Sequence, residues 1–160
     1  LIIEPLNGYR LKEERPHNIG EYTTPVGVPE VLKEGKDVTL VTYGSCVRIA
    51  RDAAEQLKEF NVSVELIDVQ TLLPFDVNHR IKESIKKTNK VLVAHEAPTF
   101  NGFGGEIASI ITEEAFEYLD GPVKRIGATF TPVGFHKNLE NAILPNTEKV
   151  YAKAKEILEY

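Results

Sequence analysis

The chain is 160 residues long, with 24 acidic against 19 basic side chains and a net charge of −5. That length fits one domain, able to bury about two-thirds of its unfolded surface with no need of disulfides or a structural metal. The acidic balance argues against nucleic acid as a general partner, and the one cysteine, Cys46, cannot form an internal bridge. No run approaches the roughly 18 apolar residues of a membrane span.

The chain lacks methionine and starts at Leu1, and Leu1-Ile2-Ile3-Glu4-Pro5 reads as the tail of a buried strand, so we expect a fragment of a longer protein. Residues 1–30 read as a linker or arm from a preceding domain, punctuated by Gly8, Pro16, Gly20, Pro25, Gly27 and Pro29. The domain itself is expected over residues 31–160. Val31-Leu32 is a short strand candidate, Glu34 to Asp37 a tight turn, and Val38 to Tyr43 a strand. Ser45 is placed to cap a helix that turns Val47, Ala50, Ala53, Ala54, Leu57 and Phe60 inward. Val62 to Val69 is the next strand. After a loop holding Pro74, Asp76 caps a helix with Val77, Ile81 and Ile85 on its inner face.

The stretch from Lys90 to Leu119 organises the rest. Val91-Leu92-Val93 reads as a buried strand, ending in His95-Glu96 and a loop with Pro98, Phe100 and Asn101. Gly102, Gly104 and Gly105 follow, and then a helix with Ile107, Ile110, Ile111, Ala115, Tyr118 and Leu119 on one face. Gly121-Pro122 stops it, and Val123 to Ile126 is a further strand. Residues 127–136 form a loop, Leu139 to Leu144 an apolar patch, and Asn146 or Thr147 caps a last helix carrying Val150, Tyr151, Ala154, Ile157 and Leu158 inward. Strands alternating with amphipathic helices predict an α/β domain, a parallel sheet between helical layers.

His95-Glu96 is the pair that most resembles acid–base machinery, but neighbours in an extended chain point to opposite sides and cannot share one reacting atom. Structural or interface duty is the better expectation. Gly102, Gly104 and Gly105 before a helix could cradle a phosphate, yet no Lys-Ser/Thr follows them, so close packing is expected, with Phe100 and Phe103 as exposed anchors for another protein surface. Cys46 is expected to be a buried thiol, and His17, His79 and His136 lack ligand spacing. Glu113, Glu114, Glu117 and Asp120 line the outer side of the third helix. They are a solvated face or an acidic docking surface for a basic domain, to which the carboxylate of Tyr160 would add charge.

Several segments carry a resemblance in order: Ile3-Glu4-Pro5 with Tyr9-Arg10; Gly35 to Gly44; Ile67 to Asp76; His95-Glu96-Ala97; and Gly102 to Ile107. On these the chain resembles the C-terminal portion of the β subunit, or fused β half, of the thiamine-diphosphate-dependent E1 component of 2-oxoacid dehydrogenase complexes, a domain of the transketolase C-terminal type. One loop departs from that pattern: Phe130-Thr131-Pro132-Val133-Gly134-Phe135 stands where the family usually has Asp-Thr-Pro-x-Pro-Phe.

The resemblance implies a three-layer α/β/α sandwich with a mostly parallel sheet of about five strands, the first antiparallel and containing Val31-Leu32. It implies a parent enzyme that decarboxylates a 2-oxo acid oxidatively and acylates E2 lipoyl groups, in the cytoplasm or the mitochondrial matrix. Thiamine diphosphate and magnesium would be held by domains absent here, because no Gly-Asp-Gly motif occurs in the chain; neither is expected in this fragment, which should be inactive alone. No catalytic, cofactor or metal residue is therefore expected. The implied partners are the E1 α subunit or fused α half, a second β copy and the E2 subunit-binding domain. His95, Glu96, Phe100, Gly102, Phe103 and Gly104 are expected at a subunit interface, and Glu113, Glu117, Asp120 and Tyr160 at the E2 docking face. Transketolase, deoxyxylulose-phosphate synthase and a free-standing interaction module are the alternatives.

Overall fold

The computed structural model describes residues 1–160, the side chain of Asn7 excepted. After a 3-10 helix at Leu6–Arg10 come strand β1 (Glu30–Lys33), β2 (Val38–Thr42), helix α1 (Cys46–Lys58), β3 (Val64–Asp68), α2 (Arg80–Thr88) and β4 (Val91–Pro98). Then follow α3 (Phe103–Ala115), a 3-10 turn at Phe116–Tyr118, β5 (Lys124–Ala128), a short α4 (Lys137–Ile143) and α5 (Thr147–Leu158). The five strands form one sheet in the order β1-β3-β2-β4-β5, with β1 antiparallel to β3 and every other pairing parallel. This is the three-layer sandwich expected.

The parallel strands are apolar on both faces because helices cover both. Leu40, Val64, Leu66, Leu92 and Ala94 face α1 and α5 in one core cluster. Val41, Ile67, Val91 and Val93 face α2 and α3 in the other. Ala50, Ala53, Ala54 and Leu57 bring α1 close to the sheet through small side chains. Asn146 caps α5, its side chain accepting the Lys149 N–H at 3.0 Å.

Several expectations need correction. Phe60 is 61% exposed, because α1 ends at Lys58 and the ring leaves the inner face to lie 5.9 Å from Tyr151. Val77 is exposed too: the chain reaches α2 through left-handed backbone at Asp76 and His79, so the helix starts at Arg80 and Val77 precedes it. Asp76 still caps, accepting the backbone N–H of Arg80 at 2.8 Å and of Ile81 at 2.9 Å. Ser45 sits before α1 but makes no capping bond; its hydroxyl donates to Glu96 instead.

One carboxylate is fully buried in the core. Glu65 is fully buried on β3, accepting from the Gly35 N–H at 2.9 Å, Ser84 Oγ at 2.6 Å and Lys87 Nζ at 2.8 Å. It ties the β1–β2 turn to α2. Burial alone would push its carboxyl up; Lys87, Ser84 and the Gly35 amide outweigh burial and hold it below the usual value of 4.5. Glu65→Ala is expected to cost about 2–3 kcal/mol in urea unfolding, since three partners lose their acceptor. The depressed value means that this contribution is complete above pH 4.5 and disappears as pH falls through the lower folded value. A pH series of unfolding curves for wild type and Glu65→Ala should therefore converge in acid.

Candidate functional site

In a parallel sheet the crevice lies at the carboxyl ends, where neighbouring strands send their connections in opposite directions. Here that point is between β2, which continues to β3 on one side, and β4 on the other. Tyr43, Ser45 and Cys46 leave the end of β2, while His95 and Glu96 belong to β4. The sequence stops the strand at this pair; the structure runs β4 on to Pro98 with a register shift against β5 between Ala94 and Pro98. His95 points inward and Glu96 outward, so the two do not meet at one reacting atom.

His95 is fully buried, and neither Nδ1 nor Nε2 has a hydrogen-bond partner. Its ring stacks on Tyr43, centroids 6.2 Å apart and planes 12° from parallel. Three glycines make the space it occupies. A Cβ on Gly104 would overlap the ring; one on Gly102 would come within 2.8 Å of Cε1, and one on Gly127 within 3.1 Å. The close packing expected of the glycine run is found at Gly102 and Gly104, which with Gly127 wall an imidazole cradle, while Gly105 faces Arg125 instead. Burial, and then the Arg125 guanidinium, push His95 below its ordinary value of 6.5, so the ring is neutral at pH 7.

Burial, and then the charge of Glu96, push the Cys46 thiol up to about 12, which keeps it protonated and unreactive. Glu96 is exposed and accepts from Ser45 across the mouth of the crevice. Phe103 corrects the expectation of an exposed anchor: it is half-buried, edge-on to Tyr43 at 6.5 Å and to Phe75 at 6.4 Å. Phe100 is 67% exposed and meets the exposed Phe130 at 5.0 Å. Neither side chain of the His95-Glu96 pair caps α3, whose N-terminus has no side-chain cap at all. His79 pairs with Glu114 at 3.0 Å, and His136 Nδ1 accepts the Asn138 N–H. Among the described residues no three His, Cys, Asp or Glu side chains gather as metal ligands. The carboxyl-edge crevice is filled by the protein's own imidazole and crossed at its mouth by the Ser45–Glu96 hydrogen bond.

A second surface lies at the far end of α3. Glu113, Glu117 and Asp120 are exposed, and Asp120 stands 3.7 Å from Lys90. Tyr160 lies beside Gly121, where a Cβ would sit 3.1 Å from its own, and Lys124 Nζ is 5.4 Å from its ring centroid. Asp120 and Tyr160, 40 positions apart in sequence, are thus brought to one place. A groove of about 740 Å³ opens beside them, lined by Ala108, Thr112, Phe116, Leu119 and Arg125 among others.

The topology defines a doubly wound α/β domain whose switch-point crevice is filled by His95. The chain belongs to the transketolase C-terminal domain family, whose description "Transketolase, C-terminal domain" matches residues 27–150. It is 40% identical to the pyruvate dehydrogenase E1 component subunit beta of Rickettsia felis over 85% of this chain and 41% of that protein. It is 36% identical to the mitochondrial 2-oxoisovalerate dehydrogenase subunit beta of Dictyostelium discoideum over 100% of this chain and 42% of that one. Among solved structures, a split-gene transketolase described as an inactive β4 tetramer superposes with a TM-score of 0.74 at 28% identity, over 87% of this chain and 44% of its own. The chain spans less than half the length of these relatives.

The cradle is tight enough to test. Gly104→Ala places a methyl group on the His95 ring and should destabilise the fold by about 2 kcal/mol, the usual cost of overpacking a filled core. The matching thermal unfolding curve should be restored toward wild type when His95→Ala is combined with it; a Gly104→Ala chain as stable as wild type would mean that the ring moves aside freely.

Proposed function

We propose that this chain is the assembly domain of the E1 component of a thiamine-diphosphate-dependent 2-oxoacid dehydrogenase, as a β subunit or fused β half. The observation that carries the reading is the contrast between a switch-point crevice filled from within and two surfaces left uncovered. Similarity to β subunits acting on pyruvate and on 2-oxoisovalerate supports it. The parent would decarboxylate a 2-oxo acid oxidatively and pass the acyl group to E2 lipoyl groups, with thiamine diphosphate and magnesium held by other domains. In that parent the carboxyl edge around Phe100 and Phe130 packs on the α subunit, its fused equivalent or a second β copy. The acidic end of α3, with Tyr160, receives the basic subunit-binding domain of E2. Cytoplasm and mitochondrial matrix both fit such an enzyme.

The split-gene transketolase match keeps ketol transfer as the second reading of the parent. Assaying the full-length protein for 2-oxo acid decarboxylation against ketol transfer decides between them.

Two further outcomes are expected. Calorimetry of this chain with thiamine diphosphate and magnesium should show no binding; a micromolar site would overturn the assignment of the cofactor to other domains. Reversing the charge at Glu113, Glu117 and Asp120 together should weaken capture of the E2 subunit-binding domain about tenfold or more at low salt, with the difference shrinking as salt rises. Unchanged affinity at low salt removes the docking face.

A further inference from the structure

The assembly reading gives His95 no task beyond filling space, yet its placement has a chemical consequence. A fully buried imidazole with both nitrogens unpartnered is an unusual thing for a fold to retain. Its cover is thin, being largely the backbone of Gly102 and Gly104, with Gly127 on the β5 side. Lifting this cover frays the first turn of α3 and takes Phe103 from its place beside Tyr43 and Phe75. The lid is held to β5 by three hydrogen bonds: Thr99 N–H and Thr99 Oγ1 donate to Ala128 O at 3.1 and 3.4 Å, and Arg125 Nη1 donates to Thr99 O at 3.0 Å.

The surroundings of the ring offer a charge on it neither an acceptor nor a counter-ion. From β2 comes the stacked Tyr43, a neutral phenol. From β5 comes Arg125, a cation. From α3 comes an uncapped helix N-terminus, the positive end of the helix dipole, and its first-turn acid, Glu106, is exposed. From the start of α1 comes Cys46, a protonated thiol. On β4 itself Glu96 is turned outward and engaged by Ser45. No carboxylate accepts from either ring nitrogen.

We propose that the loop at residues 99–102 and the first turn of α3 together form a proton-sensitive latch, closed over neutral His95 and opened when that imidazole takes up a proton. With the loop lifted, water reaches both nitrogens and the ring titrates near its ordinary value of about 6.5. The open form then binds a proton that the closed form refuses, so acid favours opening. Between pH 7.5 and pH 5 the opening constant rises by up to about 30-fold, the ratio set by an ordinary histidine titrating only when open. Phe100 rides on this loop, so opening also separates it from Phe130.

Hydrogen exchange of the Thr99 to Ile107 amides, corrected for intrinsic rate and followed from pH 7.5 to pH 5, tests this in wild type and His95→Asn. Protection of this segment should fall by about 10- to 30-fold in wild type, while β2 and β3 amides hold theirs, and the pH dependence should vanish in the variant. Protection that ignores pH overturns the latch, and so does the same dependence in His95→Asn. The His95 imidazole resonances of wild type give a second reading that needs no variant: titration near 6.5 with the loop still protected also overturns it.

Discussion

The place where this sheet should open is occupied by a side chain of its own. Parallel strands whose connections diverge leave a gap at their carboxyl ends, and most α/β domains use that gap to hold a ligand. Here His95 fills it, and three glycines from two separate segments are spent on giving the ring room. Ordinary strand alternation turns His95 to the inner side with Val91 and Val93, and the same alternation turns Glu96 out to meet Ser45. One local pattern thus seals the crevice from within and from above. That seal is the reason to look for function on the outer surfaces rather than at the switch point.

The two ends of the sheet differ in what holds them. At the amino end α2 is fastened by polar contacts: Glu65 to Ser84 and Lys87, Thr39 to Thr88 at 2.7 Å, and Asn89 to the Tyr118 carbonyl at 2.7 Å. Directional bonds of this type fix a helix in register on apolar strands that would otherwise let it slide. At the carboxyl end the loops carry exposed apolar side chains instead, among them Leu73, Phe100, Phe130 and Phe135. Large apolar groups concentrated on one end mark a contact surface, whereas the same number scattered singly would not.

Much of the architecture was legible in the sequence because β-branched runs such as Val38 to Val41 and Val91 to Val93 are buried on both faces and leave little choice of element. Helical spacing found Ala50, Ala53, Ala54 and Leu57, and failed at Phe60 and Val77, which lie just beyond the ends of α1 and α2. Periodicity carries no information about where a helix stops when the stop is a left-handed residue other than glycine, as at Asp76 and His79. The site was less legible. A histidine at a strand end followed by glycines has the same spelling whether the glycines approach a phosphate or an imidazole. Only the packing of Gly102, Gly104 and Gly127 against the ring decides, and contacts between separate segments have no signature in residue types alone. Phe103 was misplaced for a related reason: as the first residue of α3 it could point either way, and the gap beside Tyr43 and Phe75 drew it in. The anchoring of Glu65 left one trace, an acid in the middle of an apolar run.

The two outer surfaces differ in the kind of contact they can support. The carboxyl edge offers aromatic area, whose burial gains strength from water exclusion and is little affected by salt. The acidic end of α3 offers charge on mostly solvated side chains. Two of its acids are already engaged, Glu114 by His79 and Asp120 at longer range by Lys90, while Glu113 and Glu117 make no ion pair among the described residues. Exposed charges attract over a Debye length and speed encounter, but each contributes little once a complex has formed. An apolar edge therefore suits a contact made once and kept, and an acidic end suits one that must be found quickly and specifically. A domain that carries both on opposite parts of one rigid sheet can join a permanent core to a second partner without either contact disturbing the other.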